Sequence, residues 1–174
     1  GQGGERSPWK GNGAFYVDKV ARRFSVGQAE KQKQPNRNHA DRTEVVRAVA
    51  DSFAPRFAEV GIGFEVDVGP VWVDGNAGRL EQIASNLLSN ALRYTHRGGS
   101  VTVRVTRAGD DAILEVADTG VGIPPDDLRH VFTRFWRGDP SRSPATGGTG
   151  IGLAIVRELV RAHDGRVDVD STVG

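Results

Sequence analysis

Residues Arg79 to Thr95 read RLEQIASNLLSNALRYT, a stretch whose two faces carry different information. Leu80, Ile83, Ala84, Leu87, Leu88, Ala91 and Leu92 recur at i, i+3, i+4, i+7, i+8, i+11 and i+12, the repeat of one buried helical stripe. Opposite them, Gln82, Asn86, Asn90 and Arg93 follow at spacings of four, four and three, so two carboxamides and a guanidinium share a ridge. Asn competes for nearby backbone groups and is a poor interior helix residue. Two on one ridge fit either a ligand-binding edge or a solvated face, and the helix alone does not choose between them.

The composition narrows the class. The chain has 174 residues, enough for one domain with a hydrophobic core. Lys and Arg total 23 against 22 for Asp and Glu, and a net charge of +1 without a dense basic block gives no reason to expect nucleic acid or a membrane surface as partner. Without Cys there is no disulfide framework or thiolate zinc site, and His39, His96, His130 and His163 are too scattered in sequence to read as a metal cluster. No apolar run approaches the roughly 20 residues that span a bilayer, and the polar start GQGGERSPWKGN lacks a signal-peptide core. A soluble cytoplasmic protein is expected.

Gly1 to Ala40 is expected to form an irregular N-terminal arm and linker, with the globular domain running from Asp41 to Gly174. Within the arm, Val17, Val20, Ala21 and Phe24 have helical spacing and predict a short amphipathic helix. From Asp41, an Asp-x-x-Glu start leads into Val45, Val46, Val49, Phe53 and Phe57, a helix that Pro55 is expected to kink or split and Gly61 to end. Ile62 to Val68 alternates as a half-buried strand, and Val71 to Val73 predicts a second short one. Val101 to Arg107 and Ala112 to Asp118 alternate around a turn and predict a hairpin. Asp118 ends a core-facing row, so this carboxylate must cap, pair or meet a ligand donor, with an Asx-type turn into Thr119-Gly120 as the simplest option.

DTGVGIPP leads into DDLRHVFTRFWR, expected as a short helical stretch through Leu128, Val131, Phe132 and Phe135. Gly138 to Gly148 carries no large apolar side chain and reads as a mobile lid. It runs into Thr149-Gly150-Ile151-Gly152, which opens a helix, and Arg166 to Ser171 is the last expected strand. A glycine-rich approach to a helix N-terminus leaves backbone N–H groups free beside the positive end of the dipole, an anion site. Gly147 to Gly152 has that form but is neither a P-loop nor a dinucleotide fingerprint, since no Gly-Lys-Ser/Thr follows and Leu153 stands where the third glycine belongs. Together, the anion site, the lid with Arg137 and Arg142, the Asn ridge and the strand-end carboxylate would serve phosphates, a metal ion and a base with an exocyclic amine.

The order NLLSNALRYT, DTGVGIP, FTRFWRG, GGTGIGLAIVRELVRAHDGRV resembles the N, G1, F and G2 boxes of the ATP-binding catalytic domain of sensor histidine kinases, within the family that includes DNA gyrase and Hsp90-type ATPases. The resemblance implies an α+β, two-layer α/β sandwich in which a mixed, mostly antiparallel sheet packs against helices under a mobile ATP lid, the Bergerat-type fold. It implies ATP and Mg²⁺ as ligands. Asn90 would be the principal metal ligand through its amide oxygen, supported by Asn86; Arg93 would meet phosphates and Tyr94 would lie against the nucleotide. Asp118 would accept from the adenine 6-amino group, with Gly120 and Gly122 admitting the backbone close to it. Phe132 and Phe135 would anchor the lid. Gly148, Gly150 and Gly152, with Thr149 and Leu153, would close over the triphosphate, and Arg137 is a further candidate phosphate contact.

The implied reaction is transfer of the γ-phosphoryl group of ATP to a histidine, with a response regulator downstream. Hydrolysing relatives place a water-activating Glu four residues before the metal-binding Asn; Asn86 stands there instead, which favours a kinase. The acceptor-bearing helical hairpin of such kinases has no counterpart in the sequence, since His39 in NRNHADRT and His163 in RAHDGR lack its context. The acceptor is therefore expected on a separate domain or protein, and the irregular arm favours a separate ATP-binding subunit of a split kinase over an excised domain. A stand-alone serine kinase of the anti-sigma-factor type and a nucleotide-binding interaction module are the alternatives. The aromatic FTRFWR box and long lid weigh against the first, and the four intact boxes against the second.

Overall fold

The computed structural model describes residues 13–18, 42–69, 76–108, 111–137, 149–163 and 165–173. Its elements are β1 (Gly13–Asp18), α1 (Arg42–Val60), β2 (Gly63–Val68), α2 (Ala77–Tyr94), β3 (Ser100–Ala108), β4 (Asp111–Asp118), α3 (Pro125–Leu128), α4 (Gly152–Arg161) and β5 (Arg166–Ser171). They build one five-stranded sheet in the order β2-β3-β4-β1-β5, in which β2 and β3 are parallel and every other pair is antiparallel. The parallel pair is joined through α2, the crossover such a pair requires. This is the mixed, mostly antiparallel sheet with helices that the resemblance implied.

The apolar periodicities account for the packing. In α1, Val46, Val49, Ala50, Phe53 and Phe57 are buried, and Phe57 stacks on Phe64 of β2 at 4.5 Å between ring centroids. Leu80, Ile83, Ala84, Leu87, Leu88 and Ala91 of α2 are buried as their spacing predicts. Val101, Val103 and Val105 of β3 and Ala112, Leu114 and Val116 of β4 supply the sheet side of the same core, and Val156 and Val160 bring in α4. α2 packs against both α1 and α4.

Several expectations need correction. Pro55 does not split α1, which runs unbroken from Arg42 to Val60. It lies on the exposed side, where the carbonyl that loses its partner meets water. Gly61 does end the helix: at φ 73° it places its own N–H on the Ala58 carbonyl and the Ile62 N–H on that of Phe57, a Schellman closure. The stretch expected as an irregular arm contributes a strand to the sheet, since Gly13–Asp18 pairs with β4 on one side and β5 on the other. Val17 lies in that strand rather than a helix, while Val20, Ala21 and Phe24 fall outside the described residues, as does the strand expected at Val71 to Val73. The helix expected through FTRFWR stops at Leu128. Beyond it, Thr133 N–H donates to His130 and Trp136 N–H to Thr133, three-residue turns rather than helical bonds.

Candidate functional site

Asn86, Asn90 and Tyr94 follow one another at intervals of four along α2, climbing one side of the helix over roughly 12 Å at about 1.5 Å per residue. Different parts of the chain meet the two ends of that line. At the C-terminal end, the Tyr94 carbonyl accepts from the Val121 N–H at 3.1 Å, tying the DTGVG loop to the helix. Gly120 lies so close that a Cβ there would stand 2.5 Å from the Tyr94 carbonyl oxygen and 2.7 Å from Asp118 Oδ1. Gly122, at φ 70°, would bring a Cβ to 2.0 Å from the Thr172 carbonyl oxygen. Only glycine fits either position without displacing backbone.

Asp118 closes β4 beside this loop and is only 8% exposed. Gly120 N–H donates to its Oδ1 at 2.8 Å, the Asx-type turn, which occupies one carboxylate oxygen and leaves the other to a ligand donor. Burial pushes the carboxyl above the usual carboxylate range, and the Gly120 hydrogen bond works against that rise. A buried carboxylate that favours its neutral form is one that a hydrogen-bond donor from a ligand would stabilise when charged.

The N-terminal end of the line faces the start of α4. A Cβ at Gly152 would lie 3.5 Å from Asn86 Oδ1, an ordinary contact, so the start of α4 stands beside that carboxamide. Asn86 Nδ2 is buried with no hydrogen-bond partner among the described residues. Ile155 N–H donates to Ile151, so the N–H groups of Gly152, Leu153 and Ala154 precede that bond, at the end where the helix dipole is positive, and Ile151 gives no side-chain cap. A buried amide group without a partner beside a row of free donors is suited to an anionic ligand carrying its own acceptors.

The glycine stretch and the aromatic box are clasped together. Phe135 N–H donates to the Gly150 carbonyl at 2.9 Å, and a Cβ on Gly150, at φ 67°, would be 2.7 Å from the Trp136 carbonyl oxygen. Phe135 itself has φ 64°, a left-handed conformation rare for a bulky side chain. Its ring is 72% exposed, so the backbone rather than the ring fixes this point; Phe132 is half-buried. With Arg134, Ile151, Ile155, Glu158 and Leu159, Phe135 lines a shallow apolar groove.

The fold therefore gathers Asn86 with Gly152, Asp118 with Gly120 and Tyr94, and Gly150 with the aromatic box. Asn90 lies between the first two groups and is half-buried. Arg93, Arg137 and Thr149 are exposed, and Arg93 makes no hydrogen bond or ion pair with another described residue. Gly148 and Arg142 lie outside the described residues. Sequence reasoning missed the supports behind the DTGVG loop. Ser171 Oγ accepts from Ile123 N–H at 2.9 Å, Thr172 backs Gly122, and Thr119 Oγ1 accepts from Ser100 N–H at 2.9 Å. The first two come from the end of β5 and the residue that follows it, and no local spacing announces them.

A family model described as histidine kinase-, DNA gyrase B-, and HSP90-like ATPase matches residues 75–174. The sensor histidine kinase RppB of Synechocystis sp. is 41% identical over 117 residues, which are 67% of this chain and 26% of that protein. The probable sensor histidine kinase TcrY of Mycobacterium tuberculosis is 47% identical over 105 residues, 60% of this chain and 22% of that one. Among solved structures, the mycobacterial sensor histidine kinase MprB superposes with a TM-score of 0.65 at 38% identity, covering 73% of this chain and 82% of that chain. Full-length ShkA in complex with AMPPNP superposes with a TM-score of 0.58 at 26% identity, covering 78% and 32%.

Proposed function

Because the chain belongs to the histidine kinase-, DNA gyrase B- and HSP90-like ATPase family, we propose that it works as the catalytic part of a two-component histidine kinase, passing the γ-phosphoryl group of ATP to a histidine on a separate domain or protein. ATP binding follows from the family; the transfer reaction, the metal and the partners are this reading's additions. The observation that carries it is the line along α2, with a buried carboxylate at one end and, at the other, a donor-rich helix start beside a carboxamide whose buried Nδ2 has no partner among the described residues.

In this reading Asp118 accepts from the exocyclic amine of adenine, and Gly120 and Gly122 keep the approach open. Tyr94, half exposed above the Gly120–Val121 backbone, lies against the nucleoside. The first N–H groups of α4, from Gly152 and Leu153, receive phosphate oxygens, with Gly148, Thr149 and Gly150 leading to them. Asn90 and Asn86 fit a Mg²⁺ ion, because an amide oxygen plus phosphate oxygens and water is a donor set Mg²⁺ accepts. When bound, the ion would neutralise charge on the triphosphate and hold it in line. Arg93 and Arg137, both exposed, would add charge from outside. Asn86 offers no base to activate water, which favours transfer over hydrolysis.

The chain spans 26% or less of the length of the two relatives compared, so the signal sensed and the response regulator served belong to proteins or segments not seen here. Among the described residues no helix is long and apolar enough to cross a membrane, and we place the chain in the cytoplasm, where ATP is available. Incubation with γ-labelled ATP, Mg²⁺ and a histidine-bearing partner should yield label on the partner that is labile to acid and stable to base. Acid-stable, base-labile label on serine would overturn the proposal in favour of a serine kinase.

A further inference from the structure

Helix α2 starts with Asn76 as its N-cap: Asn76 Oδ1 accepts from Arg79 N–H at 3.1 Å. In a capping box the side chain at the third helical position would return the favour by accepting from the N-cap's own N–H. That position holds Arg79, which has donors only. The acceptor comes instead from another helix. Asn76 N–H donates to His163 Nε2 at 3.2 Å, while His163 Nδ1 stands 2.7 Å from the Leu159 carbonyl at the end of α4. A carbonyl accepts only, so Nδ1 carries the proton and Nε2 is the acceptor.

This bond lies at the far end of the same helix pair that forms the phosphate end of the site. Helices α2 and α4 run antiparallel, with Asn76 against His163 at one end and Asn86 against Gly152 at the other. The two segments, ten residues of α2 and eleven of α4 and the turn after it, have nearly equal helical lengths of about 15 and 16 Å. A slide of α4 along α2 therefore changes both contacts together.

We propose that His163 is a positioning residue for nucleotide binding. By completing the N-cap of α2 from α4, it sets the register of the two helices and so the distance between the Asn86 carboxamide and the N–H groups that begin α4. The inference rests on the proposed placement of the triphosphate there. It separates His163 from residues that merely stabilise the domain, because a slipped α4 loses phosphate contacts while the adenine end, built from β4 and the DTGVG loop, is untouched.

The test uses the full chain and compares adenosine with Mg-ATP in wild type, His163→Leu, Arg79→Glu and the double variant, by titration calorimetry and thermal unfolding. His163→Leu is expected to weaken Mg-ATP binding on the order of fivefold, the worth of one net hydrogen bond, with adenosine unchanged. Arg79→Glu supplies the missing acceptor within α2, so the double variant should recover thermal stability but not Mg-ATP affinity, after correction for the effect of Arg79→Glu alone. Recovery of both would mean that His163 only caps α2, and an unchanged ratio of Mg-ATP to adenosine affinity in His163→Leu would equally overturn the inference. A wild-type chain that binds Mg-ATP no better than adenosine would instead defeat the underlying placement of the phosphates.

Discussion

Three glycines separate the two physical reasons for which a glycine can be required, and alanine at each gives a graded outcome. Gly98 has φ 84° with no described residue within 4 Å of where a Cβ would stand, so Gly98→Ala adds only backbone strain, about 1 kcal/mol. Gly120 has an ordinary φ but a Cβ there would meet the Tyr94 carbonyl oxygen at 2.5 Å; displacing a packed neighbour costs about 1–3 kcal/mol. Gly122 combines both, with φ 70° and a contact of 2.0 Å to the Thr172 carbonyl oxygen, so its cost is the sum, roughly 2–4 kcal/mol. Thr172 cannot withdraw freely, because Ser171 before it is paired with Gly13 and holds the Ile123 N–H. At roughly 3–4 °C per kcal/mol for a domain of this size, thermal midpoints should fall by about 3, 6 and 10 °C for Gly98, Gly120 and Gly122. Thermal denaturation followed by circular dichroism reads this directly. Adenosine binding should be lost in the Gly120 and Gly122 variants and kept in Gly98→Ala. If Gly122→Ala is no less stable than Gly98→Ala, the packing of the loop on the last strand is wrong.

Other outcomes follow from single groups. Burial raises the folded pKa of Asp118, so between its ordinary value and the raised one the native state holds a proton that the unfolded chain has released, and stability falls as pH rises across that window. Asp118→Asn keeps the acceptor for Gly120 without the charge, and should therefore melt higher than wild type at neutral pH, with the advantage fading in acid, while nucleotide binding is lost; a lower midpoint at neutral pH would refute this. Asn86 Nδ2 has no partner to lose among the described residues, so Asn86→Ala should change the thermal midpoint by only a few degrees, and a loss on the scale of a broken buried network would show that a further partner exists. Phe135 is exposed and left-handed, so Phe135→Asn, a residue that tolerates that conformation, should leave stability equal or improved by up to about 1 kcal/mol, measured by urea unfolding. A clear loss of stability would mean that the ring packs in solution.

Local pattern made most of this molecule readable. The stripe of α2 and the strict alternation of β3 and β4 each name a buried face within a short window, and every stripe residue is buried except Leu92, which is packed at the core's edge. Asp118 was legible because alternation places it in an otherwise apolar row. Strand β1 was not. Its partners are 95 or more residues away, and the helical spacing that Val17 shares with Val20, Ala21 and Phe24 spoke louder than the short run it interrupts. The aromatic box failed for a related reason. Leu128, Val131, Phe132 and Phe135 have helical spacing, yet Phe135 turns left-handed because its N–H is taken by Gly150, beyond the stretch Gly138 to Gly148. Ser171, Thr172 and His163 act through contacts with distant backbone groups, which leave no periodicity to detect.

In the proposed arrangement adenine lies at the Asp118 end of α2 and the phosphates beside Asn86, Asn90 and the start of α4. The measurement that tests this most directly is a ligand series of adenosine, ADP and ATP, with and without Mg²⁺, titrated into wild type, Asp118→Asn and Asn90→Ala. Asp118→Asn should lose affinity for all three ligands by a similar factor. Asn90→Ala should bind adenosine as wild type does and lose only the increment that Mg²⁺ adds for ADP and ATP. If Mg²⁺ strengthens ATP binding equally in Asn90→Ala and wild type, or if Asp118→Asn weakens ATP while leaving adenosine alone, the ligand does not lie along α2 in this direction.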